Sequence, residues 1–322
     1  MKRIRLEFDT NQAWRENRAK SFGASAIGIL FGENYFDTPM TLADKMRAEL
    51  NGIFDYTQTY AMKRGHAHEG GVAYLFNDAT GISIIKASAA EYLVRRDDIP
   101  YMHASPDRTY WIDPEGKKSD SNKGILECKT RGGREPLKEI PLSWELQLQA
   151  QLGILGYKEG YLAWEVLGCP TDDGFGYRRY EFDEQMFQDI VTVVSDFWDR
   201  CVLGGETPEP VNAADVIRLY PAHESGKTIT ANNDMLDLID QMREYKQTEK
   251  DLKALIEETA DSIKKCFTDE EAMVNIDGKV LATFKTSSPR TTIDSKRLKE
   301  EQPDIFKEYS KTSQPTRTLL IK

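Results

Sequence analysis

The chain of 322 residues is 39% hydrophobic and 10% aromatic, the composition of a folded protein with room for about two domains. Its formal charge of −10 argues against a generally adhesive nucleic-acid coat, yet it leaves room for a locally basic channel. The opening MKRIRLEFDTNQAWRENRAK lacks an apolar leader, no run of about 18 uncharged apolar residues occurs, and Cys128, Cys169, Cys201 and Cys266 form no CxxC pair, so a reduced, cytoplasmic, non-membrane protein is expected.

Thr10 to Phe22 reads as a helix capped by Thr10 or Asn11. Gly23 to Gly32, small and apolar, reads as the start of a tightly packed second helix. Thr41 to Asn51 places Leu42, Met46 and Leu50 on one side of a further helix. Tyr60 to Asn77 is helical in pattern although Gly65, Gly70 and Gly71 interrupt it; each costs about 1 kcal/mol relative to Ala, which implies a close approach to the backbone. Gly81 to Val94 reads as a pair of strands. Pro141 opens a helix to Leu155 with Trp144, Leu148, Leu152 and Leu155 in one stripe; Gln147 lies next to the stripe, and Gln149 and Gln151 read as helix-surface residues. Tyr161 to Leu167 and Tyr177 to Phe182 are expected strands, and Glu184 to Val202 an amphipathic helix. At GGETPEP, Gly204 to Pro210, composition changes, which predicts one domain over 1–210 and a C-terminal extension over 211–322. In the extension, Asn232 to Phe267 shows coiled-coil spacing of apolar residues, Ala272 to Thr286 a hairpin about Asp277-Gly278, Ser295 to Tyr309 helix, and Arg317 to Lys322 a last strand.

The most informative stretch is Ala104 to Thr130. Two short strands flank a polar loop, giving a hairpin with a long connection. Alternation places Glu127 and Lys129 on one face and Leu126 and Cys128 on the other. The hairpin brings Asp107, just after Pro106, beside Glu127. Two hard oxygen ligands and one cation then share a small volume, the arrangement required by a divalent ion acting on a phosphodiester.

Ser105-Pro106-Asp107 followed by Glu127-Cys128-Lys129 resembles the signature of the PD-(D/E)XK nucleases. With Arg18, Gly23-Ala24-Ser25 and Gly65-His66-Ala67-His68-Glu69 upstream and Gln147 downstream, it resembles the lambda-exonuclease or YqaJ-type viral recombinase branch, over roughly Trp14 to Asp199. The resemblance implies an α/β, restriction-endonuclease-like core: a mixed central sheet flanked by helices, followed by an extension with a long helix and a small α+β segment. It implies metal ligation by Asp107, Glu127, the Cys128 backbone carbonyl and Glu69, with Gln147 at the active site. Mg²⁺ is the implied cofactor and Mn²⁺ a substitute. Lys129 positions or deprotonates the attacking water, or forms a salt bridge to Glu127 in the metal-free state. Arg18, Ser25 and Ser105 are the implied contacts to a 5′-phosphate, although Ser25 equally suits a helix cap. His66 and His68 diverge on a helix and read as DNA-proximal groups or partners of Glu69.

The expected activity is 5′→3′ digestion of linear duplex DNA, leaving 3′ overhangs for phage-type recombination. A ring-shaped homotrimer around the DNA and a single-strand annealing protein as partner are further implications of the resemblance. The alternatives are an endonuclease of restriction type, and a catalytically inactive scaffold that binds DNA ends.

Overall fold

The computed structural model describes residues 2–33, 36–55, 57–86, 91–313 and 316–321. Its contacts divide the chain into two compact units, Met1–Asp215 and Val216–Lys322. The first unit begins with β1 (Arg3–Phe8), α1 (Asn11–Arg18), β2 (Phe22–Gly23), α2 (Ile27–Leu30), α3 (Pro39–Leu50) and α4 (Tyr60–Thr80). It continues through β3 (Ile84–Lys86), β4 (Glu91–Arg96), β5 (Ile99–Ala104), β6 (Arg108–Trp111), β7 (Lys123–Gly132), α5 (Leu142–Leu155), β8 (Glu159–Leu167), β9 (Phe175–Glu181) and α6 (Glu184–Asp196). Residues Phe197–Leu203 extend α6 as a π-helix, where a single α-helix to Val202 is the sequence expectation.

A five-stranded sheet in the order β3-β6-β7-β8-β9 carries the centre of this unit. Its β7 and β8 are parallel, while β3/β6, β6/β7 and β8/β9 are antiparallel, so the sheet is mixed. A parallel pair needs a crossover, and α5 supplies it. Leu148 and Leu152 of α5 pack on Ile125 and Leu162. On the other face Val72, Ala73 and Phe76 of α4 pack on Leu126 and Ala163. The fold is therefore mixed α/β with a helix against each face of the central sheet. A four-stranded sheet, β1-β4-β5-β2, stands beside it. There β2, α2, α3, α5 and α6 share a core that includes Phe22, Ile27, Leu42, Ile154, Phe187 and Ile190.

Helix α5 is enclosed on all sides, from Leu146 through Leu155 with only Gln147 half-exposed. This overturns the reading of Gln149 and Gln151 as surface residues: each is 2% exposed. The amide of Gln149 donates to the Glu181 carbonyl at 2.9 Å and its oxygen accepts from the Asp183 amide at 2.9 Å, so a buried amide is satisfied at both ends.

Other expectations are corrected in detail. The segments 84–86 and 91–96 do not pair with each other; they belong to different sheets, and residues 87–90 lie outside the described residues. Residues 23–32 form a strand end, a 3₁₀ turn over Ala24–Ala26 and the short α2 rather than one helix. The glycines Gly65, Gly70 and Gly71 of α4 are not sites of close approach. A Cβ at Gly65 would sit 3.7 Å from Thr130 Oγ1, and Gly70 and Gly71 face open space.

A short helix, α7 (Ala213–Leu219), spans the boundary between the two units. In the second unit, α8 (Asn233–Lys264) buries none of its residues, so the coiled-coil spacing of Met235, Leu238, Met242, Tyr245, Leu252 and Ile256 forms an exposed stripe. Strands β10 (Ala272–Val274) and β11 (Val280–Thr283) form the expected hairpin, turning at Gly278 with φ of 78°, a conformation that favours glycine. Two helices, α9 (Ser295–Glu301) and α10 (Pro303–Tyr309), follow. The strand expected after Arg317 is not formed among the described residues.

Candidate active site

Hairpin register brings the two acids together. Arg108 opposes Leu126 in the antiparallel β6/β7 pair, so Asp107, one residue before β6, falls across from Glu127. The Cys128 amide donates to Asp107 Oδ2 at 2.8 Å. Tyr92 fixes the preceding turn by donating its hydroxyl to the Pro106 carbonyl at 2.9 Å. Because β7 alternates, Leu126 and Cys128 face α4 while Ile125 and Glu127 face α5.

Glu127 is 3% exposed and fully engaged. Its Oε1 accepts from Lys129 Nζ at 2.9 Å and from Gln147 Nε2 at 2.5 Å, and its Oε2 accepts from Gln151 Nε2 at 2.9 Å. Lys129 also donates to Gln147 Oε1 at 2.7 Å. Gln147 and Gln151 are four residues apart on α5, so one helical face presents both amides to the carboxylate. Gln151 Oε1 is buried without a hydrogen-bond partner. The structure thus brings Glu127, Lys129 and Gln147 into one network, with Asp107 next to it.

Electrostatics mark the same place. The Asp107 carboxyl is held well above the usual carboxylate range, first by burial and then by the negative charges of Glu127 and Glu69; the Cys128 amide and the Lys129 ammonium oppose this. A buried carboxyl crowded by two others favours a proton or a cation. Glu69 is paired with Arg108, which also donates to the Asp107 carbonyl at 2.7 Å. Arg108, and not His66 or His68, is therefore the partner of Glu69; both histidines are exposed. Among the described residues no three His, Cys, Asp or Glu side chains are grouped to hold a metal, so Glu69 does not close a three-carboxylate cluster here. The donor set that does fit a divalent ion is the Asp107–Glu127 pair with a strand carbonyl beside it: hard oxygens whose mutual repulsion a cation relieves, and an orphaned amide oxygen nearby. The Cys128 thiol packs against Leu126 and Ala163 under α4, and burial pushes its pKa up. It is a poor nucleophile.

A cavity of about 710 Å³ joins this network to the N-terminal elements, its lining including Arg18, Ser25, Ser105, Asp107, Glu127 and Gln147. Arg18 donates to Ser25 Oγ at 3.3 Å and its guanidinium lies 5.1 Å from the Trp14 ring centroid. Ser105 donates its hydroxyl to the Tyr92 carbonyl, which leaves it an acceptor only. Glu69 and His66 also line the cavity. All three residues expected at a phosphate thus share one space with the acids.

Sequence reasoning missed Arg108, Gln151 and His103. Arg108 follows the Pro-Asp pair directly, and a cation there was the available signal for a partner to Glu69. Gln151 stands one turn beyond Gln147 in LQLQAQLGIL, inside an otherwise apolar helix. A polar residue at such a position is buried and must find a partner.

Residues 13–158 match the family model of the YqaJ-like viral recombinase domain. The YqaJ protein of Bacillus subtilis (strain 168) is 27% identical over 309 residues, covering 92% of this chain and 90% of its own. Among solved structures, an alkaline exonuclease, LHK-Exo, from Laribacter hongkongensis, in complex with dAMP, aligns with a TM-score of 0.48 and 16% identity, over 60% of this chain and 94% of its own. A phage-related exonuclease from Haemophilus somnus 129PT aligns with a TM-score of 0.40 and 10% identity, over 58% and 96% of the two chains. Residues 13–158 are therefore similar to the YqaJ-like viral recombinase domain.

Proposed function

We propose that the protein is a metal-dependent deoxyribonuclease that degrades linear duplex DNA from 5′ ends and leaves 3′ overhangs. One observation carries the reading: Asp107, Glu127 and Gln147 line the same cavity as Arg18 and Ser25, with Lys129 bonded to Glu127. A site for phosphodiester cleavage and a site for a terminal phosphate are then within one strand's reach. The similarity of residues 13–158 to the viral recombinase domain supports DNA as the substrate.

Asp107 and Glu127, with the Cys128 carbonyl, would hold Mg²⁺ or Mn²⁺, and Glu69 would contribute once Arg108 releases it. When bound, such an ion supplies neutralisation of charge at the reacting phosphate and an acidified water. Lys129 would then turn from Glu127 toward the attacking water and orient it, with Gln147 holding the ammonium in place through its carbonyl oxygen. Gln147 and Gln151 keep the Glu127 carboxylate in position through two donated hydrogen bonds. The Arg18 guanidinium offers a planar fork to the end phosphate. Assembly as a ring-shaped trimer and action alongside a single-strand annealing protein extend the same proposal.

The deciding assay incubates end-labelled linear duplex beside a covalently closed circle, with and without Mg²⁺. Consumption of the linear DNA alone, only with metal, is expected. Nicked circles would instead select an endonuclease, and binding of ends without cleavage would select a scaffold.

A further inference from the structure

Behind Arg18, the cavity floor carries a histidine that the proposed chemistry leaves unused. His103, on β5, is 4% exposed yet lines the cavity. Its Nδ1 is 2.9 Å from Ser21 Oγ, and Ser21 Oγ also accepts from Arg95 Nε at 2.9 Å. With one lone pair taken by the guanidinium, the Ser21 hydroxyl can turn its hydrogen to Nδ1. In that arrangement Nδ1 accepts and the ring proton sits on Nε2. The Ser21 carbonyl also interacts with the ring, and the opposite tautomer, with the proton on Nδ1, would serve it.

Nε2 has no hydrogen-bond partner among the described residues. It lies under Gly23, where a Cβ would come within 3.0 Å of Nε2 and 3.6 Å of the Arg18 guanidinium. Glycine at this position keeps the imidazole edge and the guanidinium open to the same space. Burial, followed by the positive charges of Arg18 and Arg95, holds the His103 pKa well below its ordinary value, so the ring is neutral at physiological pH and remains a single-proton donor.

We infer that His103, through Nε2–H, is a third donor to the terminal 5′-phosphate alongside Arg18 and Ser25, and that Ser21 holds it in the donating tautomer. The inference rests on reading the Arg18–Ser25 end of the cavity as the phosphate pocket. A neutral donor adds a directed hydrogen bond without a further charge, and it discriminates a phosphate from a hydroxyl end because the latter leaves a buried N–H unpaired.

The test compares binding, in EDTA to prevent cleavage, of duplexes blocked at one end and bearing either a 5′-phosphate or a 5′-hydroxyl at the other. Wild type is expected to favour the phosphate, Arg18→Ala to lose that preference, and His103→Leu to lose about 10-fold of it, with affinity for the hydroxyl end no weaker than in wild type. Retained preference in His103→Leu with loss in Arg18→Ala would overturn the role of His103 and leave the pocket standing. Equal affinities for the two ends in wild type would overturn both. A measurement on the unmutated protein runs in parallel: ¹⁵N spectra of the histidine rings are expected to show the His103 proton on Nε2, shifted by the phosphorylated duplex alone. A proton on Nδ1, or no shift with that duplex, would overturn the inference even if His103→Leu failed to fold.

Discussion

Replacing Glu127 separates its structural from its chemical role. In Glu127→Ala the Lys129 ammonium, 18% exposed, and the amides of Gln147 and Gln151 lose a common acceptor. Breaking one side of a buried ion pair costs about 3–5 kcal/mol, and each polar group left without a partner costs about 1–3 kcal/mol. Water reaching Lys129 and Gln147 offsets part of this, so a loss of about 3–5 kcal/mol is expected. In Glu127→Gln the shape stays. The new Oε1 accepts from Lys129 and Gln147, and Gln151 turns its amide over so that its unpartnered Oε1 meets the new Nε2. The cost falls to about 1–2 kcal/mol, the difference between a charge-assisted and a neutral bond, and relief of the repulsion on Asp107 lowers it further. Urea unfolding in EDTA, followed by tryptophan fluorescence, measures both: Trp14, Trp111, Trp144, Trp164 and Trp198 are the chain's five tryptophans, and all lie in the unit Met1–Asp215. Neither variant should cleave DNA. Equal destabilisation by Ala and Gln, or Mg²⁺-dependent cleavage by either, would refute the reasoning.

Asp107→Asn should abolish cleavage while making the metal-free protein more stable at neutral pH. Because the folded state raises the Asp107 pKa, its ionised form costs stability that appears as pH rises through the folded value and is absent below the unfolded one. The advantage of Asn in urea unfolding should therefore vanish below about pH 4; an Asn variant less stable at neutral pH contradicts this. Lys129→Met should lower turnover by about 10²–10⁴ with DNA affinity retained, and a purely binding defect would remove its role at the water. Cys128→Ala should keep turnover within a few-fold, since the main chain and not the sulfur serves the site; loss of activity with normal folding would speak for the thiol. Arg18→Ala should equalise cleavage rates on 5′-phosphorylated and 5′-hydroxyl ends, and an unchanged ratio would dismiss the pocket.

Period-two alternation made the face shared by Glu127 and Lys129 legible, because neighbours at i and i+2 on a strand have no freedom to diverge. The Asp107–Glu127 juxtaposition was legible for a related reason: the hairpin joins the two segments, and a one-residue slip would turn Leu126 out of the core. The glutamines of α5 were not. A helix reads as amphipathic when one face sees solvent, and α5 is buried on every side from Leu148 to Leu155, so Gln149 and Gln151 looked peripheral while lying in the core. The pairing of Glu69 with Arg108 joins α4 to β6 across 39 positions in sequence, a separation that no local pattern encodes. The segment after Arg317 has β-prone residues yet forms no strand among the described residues; propensity alone does not make a strand.

The crossover helix α5 unites duties that many folds assign to separate segments. Its leucines wedge between two sheets while its amides steady the acid on which turnover is proposed to depend. Tuning the chemistry through this segment is therefore coupled to the solidity of the whole body. Variation that preserves function should be sparse along its length and freer in the loop joining β6 to β7, whose tip touches neither task.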